Sequence, residues 1–303
     1  AERGVAAGVA AFLFVLLFPV NIMSALGISV WAWNQKTSSE ITGIPAGFFA
    51  NIQYLMVEKP EGYSAAQVEE VSEEVSQLEE PEPVGDPQEL PTIIAVMNES
   101  FTDMAATSDG NITLSQDNLP FLHSLQESGE VVWGTAYSSV YGGNTCNSEY
   151  EFLTGNSMAN LGSGVYPYTI YNMETTGNLA EQFKSLGYST TAMHPNHATN
   201  WNRENVYADF GFDNFLSIED FEGAETLRGM VTDQATYDKI LELLDQNADP
   251  QFIFDVTMQN HSGYDTGLLP VDKQMHLNID TTDLDAKTVE DGTLSDVDEY
   301  VSC

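Results

Sequence analysis

The chain has 303 residues, with 46 Asp and Glu against 9 Lys and Arg and a formal net charge of −37. A hydrophobic content of 42% with 11% aromatics provides for a packed core and excludes a disordered chain. The scarcity of cations argues against nucleic acid as a partner, because phosphate binding needs a basic face, and two cysteines, Cys146 and Cys303, are too few for a disulfide framework.

Between Arg3 and Lys36 there is no charged residue, and residues 6–26 (AAGVAAFLFVLLFPVNIMSAL) are almost wholly apolar. A spanning helix takes about 20 such residues, so residues 1–35 are predicted to hold a transmembrane helix. Trp31 and Trp33 would then sit in its interfacial belt. Because the chain begins at Ala1 rather than Met, further residues are expected upstream. Residues 36–90 form a juxtamembrane segment and an acidic linker carrying Pro60, Pro81, Pro83 and Pro87. Within it, Val68, Val71, Val75 and Leu78 recur at helical spacing.

From residue 91 to 303 strands alternate with helices, which implies an α/β domain with a mostly parallel sheet flanked by helices. Residues 92–97 (TIIAVM) are predicted as a strand buried on both faces and 119–128 as a helix. Residues 131–136 read as an exposed strand and 147–153 as the start of a helix. A helix over 178–186 closes at Gly187 before a strand over 188–193. An amphipathic helix over 232–244 precedes an apolar strand over 251–258, and the acidic tail 280–298 reads as a loop.

In an open parallel sheet, ligands bind outside the carboxyl ends of the strands. The residues there are Asn98, Glu99 and Ser100; His194, Asn196, His197, Trp201 and Arg203; and Gln259, Asn260 and His261. Glu99 suits a hard cation or is a solvated strand-end acid. His194 and His261 are proton donors or structural histidines. Arg203 fits a phosphate with its planar fork or pairs with one of the many acids. In YGGNTCNSEYEF (141–152), two glycines precede Thr145 at the start of a predicted helix, where the dipole favours an anion. Thr145 there is a nucleophile, or Thr145 or Asn147 is only an N-cap.

GGNTCNSEYEF, HPNHATNWNR (194–203), VYADFGFDNF (206–215) and TMQNH (257–261), in this order across residues 91–261, resemble the lipoteichoic acid synthase group of sulfatase-like phosphoglycerol transferases. The resemblance implies the α/β fold of the alkaline phosphatase superfamily. It also implies a divalent metal, Mn²⁺ or else Mg²⁺, with Glu99 as its first ligand and Thr145 as both ligand and nucleophile. His194, Trp201 and Arg203 match residues holding the glycerol phosphate headgroup, and His261 a further substrate-contacting histidine. Asn196 stands where relatives can carry Asp. The implied reaction transfers glycerol phosphate from phosphatidylglycerol to a glycolipid or polyglycerol phosphate acceptor through a covalent threonine intermediate. The catalytic domain would face outward from the cell membrane bilayer. The family completes its metal site with a downstream Asp-His pair; after His261 the one remaining histidine is His276, preceded by Met275. The catalytic domain is therefore expected to be incomplete at its C-terminus. The rivals are a phosphoethanolamine transferase, a phosphodiesterase or sulfatase on the same scaffold, and an inactive membrane-tethered fragment. Cys146 lacks the C-x-P-x-R context of sulfatases.

Overall fold

The computed structural model describes residues 2–17, 26–51, 62–78, 90–103, 113–161 and 164–278, a few single positions excepted. The helices in chain order are α1 (Glu2–Leu17), α2 (Gln35–Thr42), α3 (Ile44–Asn51), α4 (Ala65–Ser76), α5 (Pro120–Ser128), α6 (Thr145–Thr154), α7 (Pro167–Ile170), α8 (Leu179–Ser185), α9 (Arg203–Asp209) and α10 (Asp233–Gln246). The main strands are β1 (Ile93–Met97), β2 (Ser189–Met193), β3 (Asn214–Leu216) and β4 (Gln251–Val256). The chain divides into two compact units. One comprises Ala1–Pro91, Ser138–Leu186 and Ala198–Phe212, the other Thr92–Tyr137, Gly187–His197 and Asp213–Cys303.

The second unit holds the sheet, in the order β1-β4-β2-β3, parallel throughout. Its central strand is β4, with Phe254 level with Ala95 of β1 and Ala192 of β2. All six β4 residues are buried, as a strand covered on both faces requires. Ile253 packs with Met193, Phe221, Val231 and Ile240, which fixes α10 against the sheet. α10 begins where it does because the Thr232 hydroxyl accepts from the Ala235 N–H at 3.2 Å. β1 corrects the expectation of burial on both faces. It pairs only with β4 among the described residues, and Ile94 and Val96 stay 43% and 39% exposed. Residues 131–136 form no strand; among the described residues this β-favouring sequence has no ladder to join.

The first unit is helical. Among the described residues no helix is long and apolar enough to cross a membrane, so the predicted N-terminal transmembrane helix is not found there. Residues 18–25 of the predicted run, and the tail over 280–298, lie outside the described residues. The helical spacing in the acidic linker does give α4, capped by the Ser64 hydroxyl accepting from the Gln67 N–H. Tyr168, Tyr207, Phe210 and Phe212 build the core of this unit through edge-on ring contacts.

Asp255 interrupts the apolar run of β4. It is fully buried with no hydrogen-bond partner on either carboxylate oxygen, and burial, with Asp233 of α10 adding to it, pushes its carboxyl up to about 7. Asp233 is itself raised by burial, and Tyr237 beside the two acids is pushed up to about 12. A carboxyl raised from 3.8 stays protonated in the folded state where the unfolded chain has ionised. Its contribution is favourable at low pH and is lost as pH rises from about 4 to about 7, a change of roughly 4 kcal/mol. Urea midpoints should therefore fall between pH 5 and pH 8, and Asp255→Asn should flatten that decline.

Candidate active site

Thr145 is the first residue of α6 and lies in the helical unit. Gly142, Gly143 and Asn144 approach it with φ of 65, 74 and 61°, a left-handed run that glycine adopts without strain and asparagine tolerates. The turn leaves Thr145 half-buried at the helix N-terminus, where N–H groups without helical partners and the dipole favour negative charge. Asn144 makes no side-chain cap and Asn147 instead donates to the Val165 carbonyl at 3.1 Å. Neither asparagine therefore caps the helix with its side chain. The adjacent Cys146 is fully buried, and burial, with Glu149 second, pushes its thiol well above 9. Of the two neighbouring candidate nucleophiles, only Thr145 is accessible.

One turn further along α6 lies Glu149, wholly buried and on the same helix face as Thr145. Arg203, the first residue of α9, forks onto it: Nε donates to the two carboxylate oxygens at 3.1 and 3.2 Å, and Nη2 pairs with Oε1. The Tyr207 hydroxyl donates to Oε2 at 2.6 Å. Burial lowers the Arg203 pKa, but Glu149 and Tyr207 more than offset it, so the guanidinium stays charged. The structure thus places Arg203 in a buried ion pair rather than at the surface, 2% exposed. Trp201 stands two residues earlier with φ 57°, its N–H donating to the Trp33 carbonyl at 2.7 Å and its ring 5.1 Å from Tyr166.

Glu99, His194, Asn196 and His261 all lie in the second unit, at the carboxyl edge of its sheet. The loop after β4 gathers them. The Thr257 hydroxyl accepts from the Glu99 N–H at 3.1 Å and is hydrogen-bonded to Asp233. Asn260 donates to the Ser100 carbonyl at 3.3 Å. His194 Nδ1 lies 2.9 Å from the Val256 carbonyl; a carbonyl only accepts, so Nδ1 carries the hydrogen. Asn196 packs its amide on Met258 Sδ at 3.5 Å.

Arg228 was not foreseen. It and Gly229, with φ of 51 and 82°, are the two central residues of a tight hairpin joining Thr226–Leu227 to Met230–Val231. Such a turn favours Asn-Gly, so an arginine here is strained. Its guanidinium donates to the carbonyls of Gln259, His261 and Gly263 at 2.9, 3.1 and 3.0 Å and lies 5.0 Å from the Tyr264 ring centroid. It clamps the loop that carries His261. An arginine before a glycine was the sequence signal that could have pointed to it.

Five non-glycine residues among those described have positive φ: Ser100, Asn144, Trp201, Asn202 and Arg228. They follow Glu99, precede Thr145, coincide with Trp201, precede Arg203 and clamp His261. Backbone strain of this kind costs ~1–3 kcal/mol per residue and collects at functional sites. For a divalent metal, Glu99 and Thr145 are oxygen donors of the right kind. They do not suffice in number: among the described residues no group of three or more His, Cys, Asp or Glu could hold a metal ion. His276 lies outside them.

The family model described as Sulfatase matches residues 91–302. The chain belongs to the sulfatase family. A Rhizobium meliloti protein named for cyclic beta-1,2-glucan modification is 32% identical to this sulfatase-family chain over 234 residues, 77% of the chain and 34% of the relative. The lipoteichoic acid synthase of Staphylococcus saprophyticus is 26% identical over 174 residues, 56% of the chain and 26% of the synthase. Among solved structures, the Streptococcus pyogenes phosphoglycerol transferase GacH in complex with sn-glycerol-1-phosphate is 27% identical with a TM-score of 0.60, covering 81% of this chain and 63% of that one. The chain spans about a third or less of the length of these curated relatives. The relatives of this sulfatase-family chain thus include a lipoteichoic acid synthase and a phosphoglycerol transferase, in line with the motif resemblance.

Glu149→Ala should lower stability by about 3–5 kcal/mol, because it strands the Arg203 charge in the interior; denaturant unfolding measures this, and Glu149→Gln should lose less. Arg228→Ala should cost about 1–3 kcal/mol by releasing three carbonyls. Arg228→Lys should not restore the loss, since one ammonium cannot reproduce the fork.

Proposed function

We propose that this chain is the catalytic part of a membrane-anchored, outward-facing phosphoglycerol transferase in which Thr145 is the nucleophile. The observation that carries the reading is the placement of Thr145 at the N-terminus of α6, half-buried and reached by a left-handed turn, beside a cysteine sealed in the core. The likeness to GacH and to lipoteichoic acid synthase supports glycerol phosphate as the transferred group.

The Thr145 Oγ attacks the phosphorus of phosphatidylglycerol. An O–P bond forms to the threonine as its hydroxyl proton is given up and the P–O bond to diacylglycerol breaks, and the departing oxygen takes up a proton, so that one proton leaves and one is gained. An acceptor hydroxyl then attacks the same phosphorus and frees Thr145. The N-terminal N–H groups of α6 favour the negative charge that builds up. His194 or His261 supplies the proton. Asn196 and Trp201 contact the headgroup. Arg203, held by Glu149, positions α6 and adds positive potential behind the phosphate. Glu99 and Thr145 would contribute oxygen donors to a divalent cation, Mn²⁺ or Mg²⁺, whose chemistry is to polarise phosphoryl oxygens. The acceptor is a hydroxyl of a glycolipid or of a glycerol phosphate polymer.

Diacylglycerol release from phosphatidylglycerol vesicles supplied with Mn²⁺ tests the reading. Thr145→Ala should lower release at least a thousandfold with an unchanged circular dichroism spectrum. Undiminished release by that variant refutes the assignment, and release from phosphatidylethanolamine alone would replace glycerol phosphate by phosphoethanolamine.

A further inference from the structure

Glu151 lies on α6 two residues past Glu149, about 200° round the helix at 3.6 residues per turn, on a different side from the Arg203 pair. It is half-buried, and its carboxylate gathers donors from two separate segments. Oε2 accepts from the Ser138 hydroxyl at 3.0 Å and from the Ser139 N–H at 3.1 Å. Oε1 accepts from the Met158 N–H at 2.7 Å and from the Ser157 hydroxyl at 3.5 Å. The Ser139 and Ser157 hydroxyls meet each other at 2.9 Å. One side chain thus joins the segment entering α6 to the segment leaving it, all within the helical unit. Burial opposes its charge, but the Met158 and Ser139 amides and the Ser138 hydroxyl outweigh that and hold the carboxyl below its ordinary value. Hydrogen bonds to such a charged acceptor are the strong kind.

The network encloses the approach to Thr145. Ser139 is fixed at one end and Thr145 opens α6 at the other, with Gly142, Gly143 and Asn144 between them in left-handed conformation. Adjacent glycines have the most backbone freedom to lose. Among the described residues nothing lies within 4 Å of where a Cβ would stand on Gly142 or Gly143, so packing does not wedge the turn there. The Asn144 amide donates to the Gly142 carbonyl at 3.3 Å, a bond inside the turn that does not tie it to its surroundings. Holding both ends of so short a loop removes conformers that its glycines would otherwise allow.

We propose that Glu151 is a positioning residue for Thr145: by tying residues 138–139 to 157–158 across α6, it holds the glycine turn in the conformation that presents the Thr145 hydroxyl. The role in turnover rests on the transferase reading; the tie itself does not. Glu149 sets the helix from inside, and Glu151 fixes the loop that leads into it.

Amide hydrogen exchange and diacylglycerol release from phosphatidylglycerol vesicles, both measured on the full chain with Mn²⁺, test this. In Glu151→Ala, exchange over residues 139–145 should quicken at least tenfold while α9 and α10 exchange as before. That unchanged protection shows an intact folded fraction, which a merely destabilised chain would not keep. The same variant should lose at least twentyfold in kcat, with KM within twofold because Asn196 and Trp201 are untouched. Glu151→Gln, which keeps one acceptor oxygen, should fall between parent and Glu151→Ala in both readouts. Should Glu151→Ala fail to fold, Glu151→Gln carries them. Exchange over 139–145 that does not quicken overturns the tie, and faster exchange with unchanged kcat overturns the positioning role. A parent chain that releases no diacylglycerol sinks the transferase reading alone, and exchange then decides the tie.

Discussion

The buried pair between Glu149 and Arg203 is the constraint on which the helical unit depends. Desolvating two charges costs several kcal/mol per ion, and the fork geometry with the Tyr207 hydroxyl is what offsets it. In return, the first residue of α9 is locked to the middle of α6. Thr145 shares a face with Glu149 one turn away, so the pair fixes where the nucleophile's helix begins and how it is rotated. Arg203 thereby acts through the position it imposes as much as through its charge.

In the sheet unit the equivalent role falls to the segment after β4. The strand is central and wholly buried, so the loop leaving it is the place where neighbouring strand ends can meet. Thr257 takes the Glu99 amide, Val256 fixes the tautomer of His194, Met258 supports Asn196, and Arg228 holds the loop from the far side. Each link is a hydrogen bond or packing contact worth about 1 kcal/mol, or for charged donors ~1.5–3. Their common target makes the rim a single arrangement. The left-handed residues are where this order is maintained against local preference, and they fall beside the residues singled out for their chemistry.

Elements with strong periodicity were legible from the chain. The central strand, the strand before His194, the amphipathic helix and the helix opening at Thr145 stand within a few residues of their expected bounds, because apolar runs, caps and glycines are local signals. What failed depended on neighbours. Among the described residues, 131–136 have strand composition and join no ladder, and β1 has a core-like sequence at a sheet edge. β3, three residues long, was too short to show a period.

The candidate site divides in the same way. Residue type and spacing alone singled out Glu99, Thr145, His194, Asn196, Trp201, Arg203 and His261, since reactive side chains after strands and before helices are visible in one dimension. The partners of those residues are not visible there. That Arg203 would spend its fork on Glu149, that Arg228 would hold the His261 loop, and that Trp31 and Trp33 would join Tyr166 and Trp201 around one cavity involve residues 31 to 170 positions apart. Hydrophobic period and capping act over a few residues, whereas ion pairing and ring packing require the chain to have returned on itself, and only the folded chain decides which of many acids and aromatics it meets.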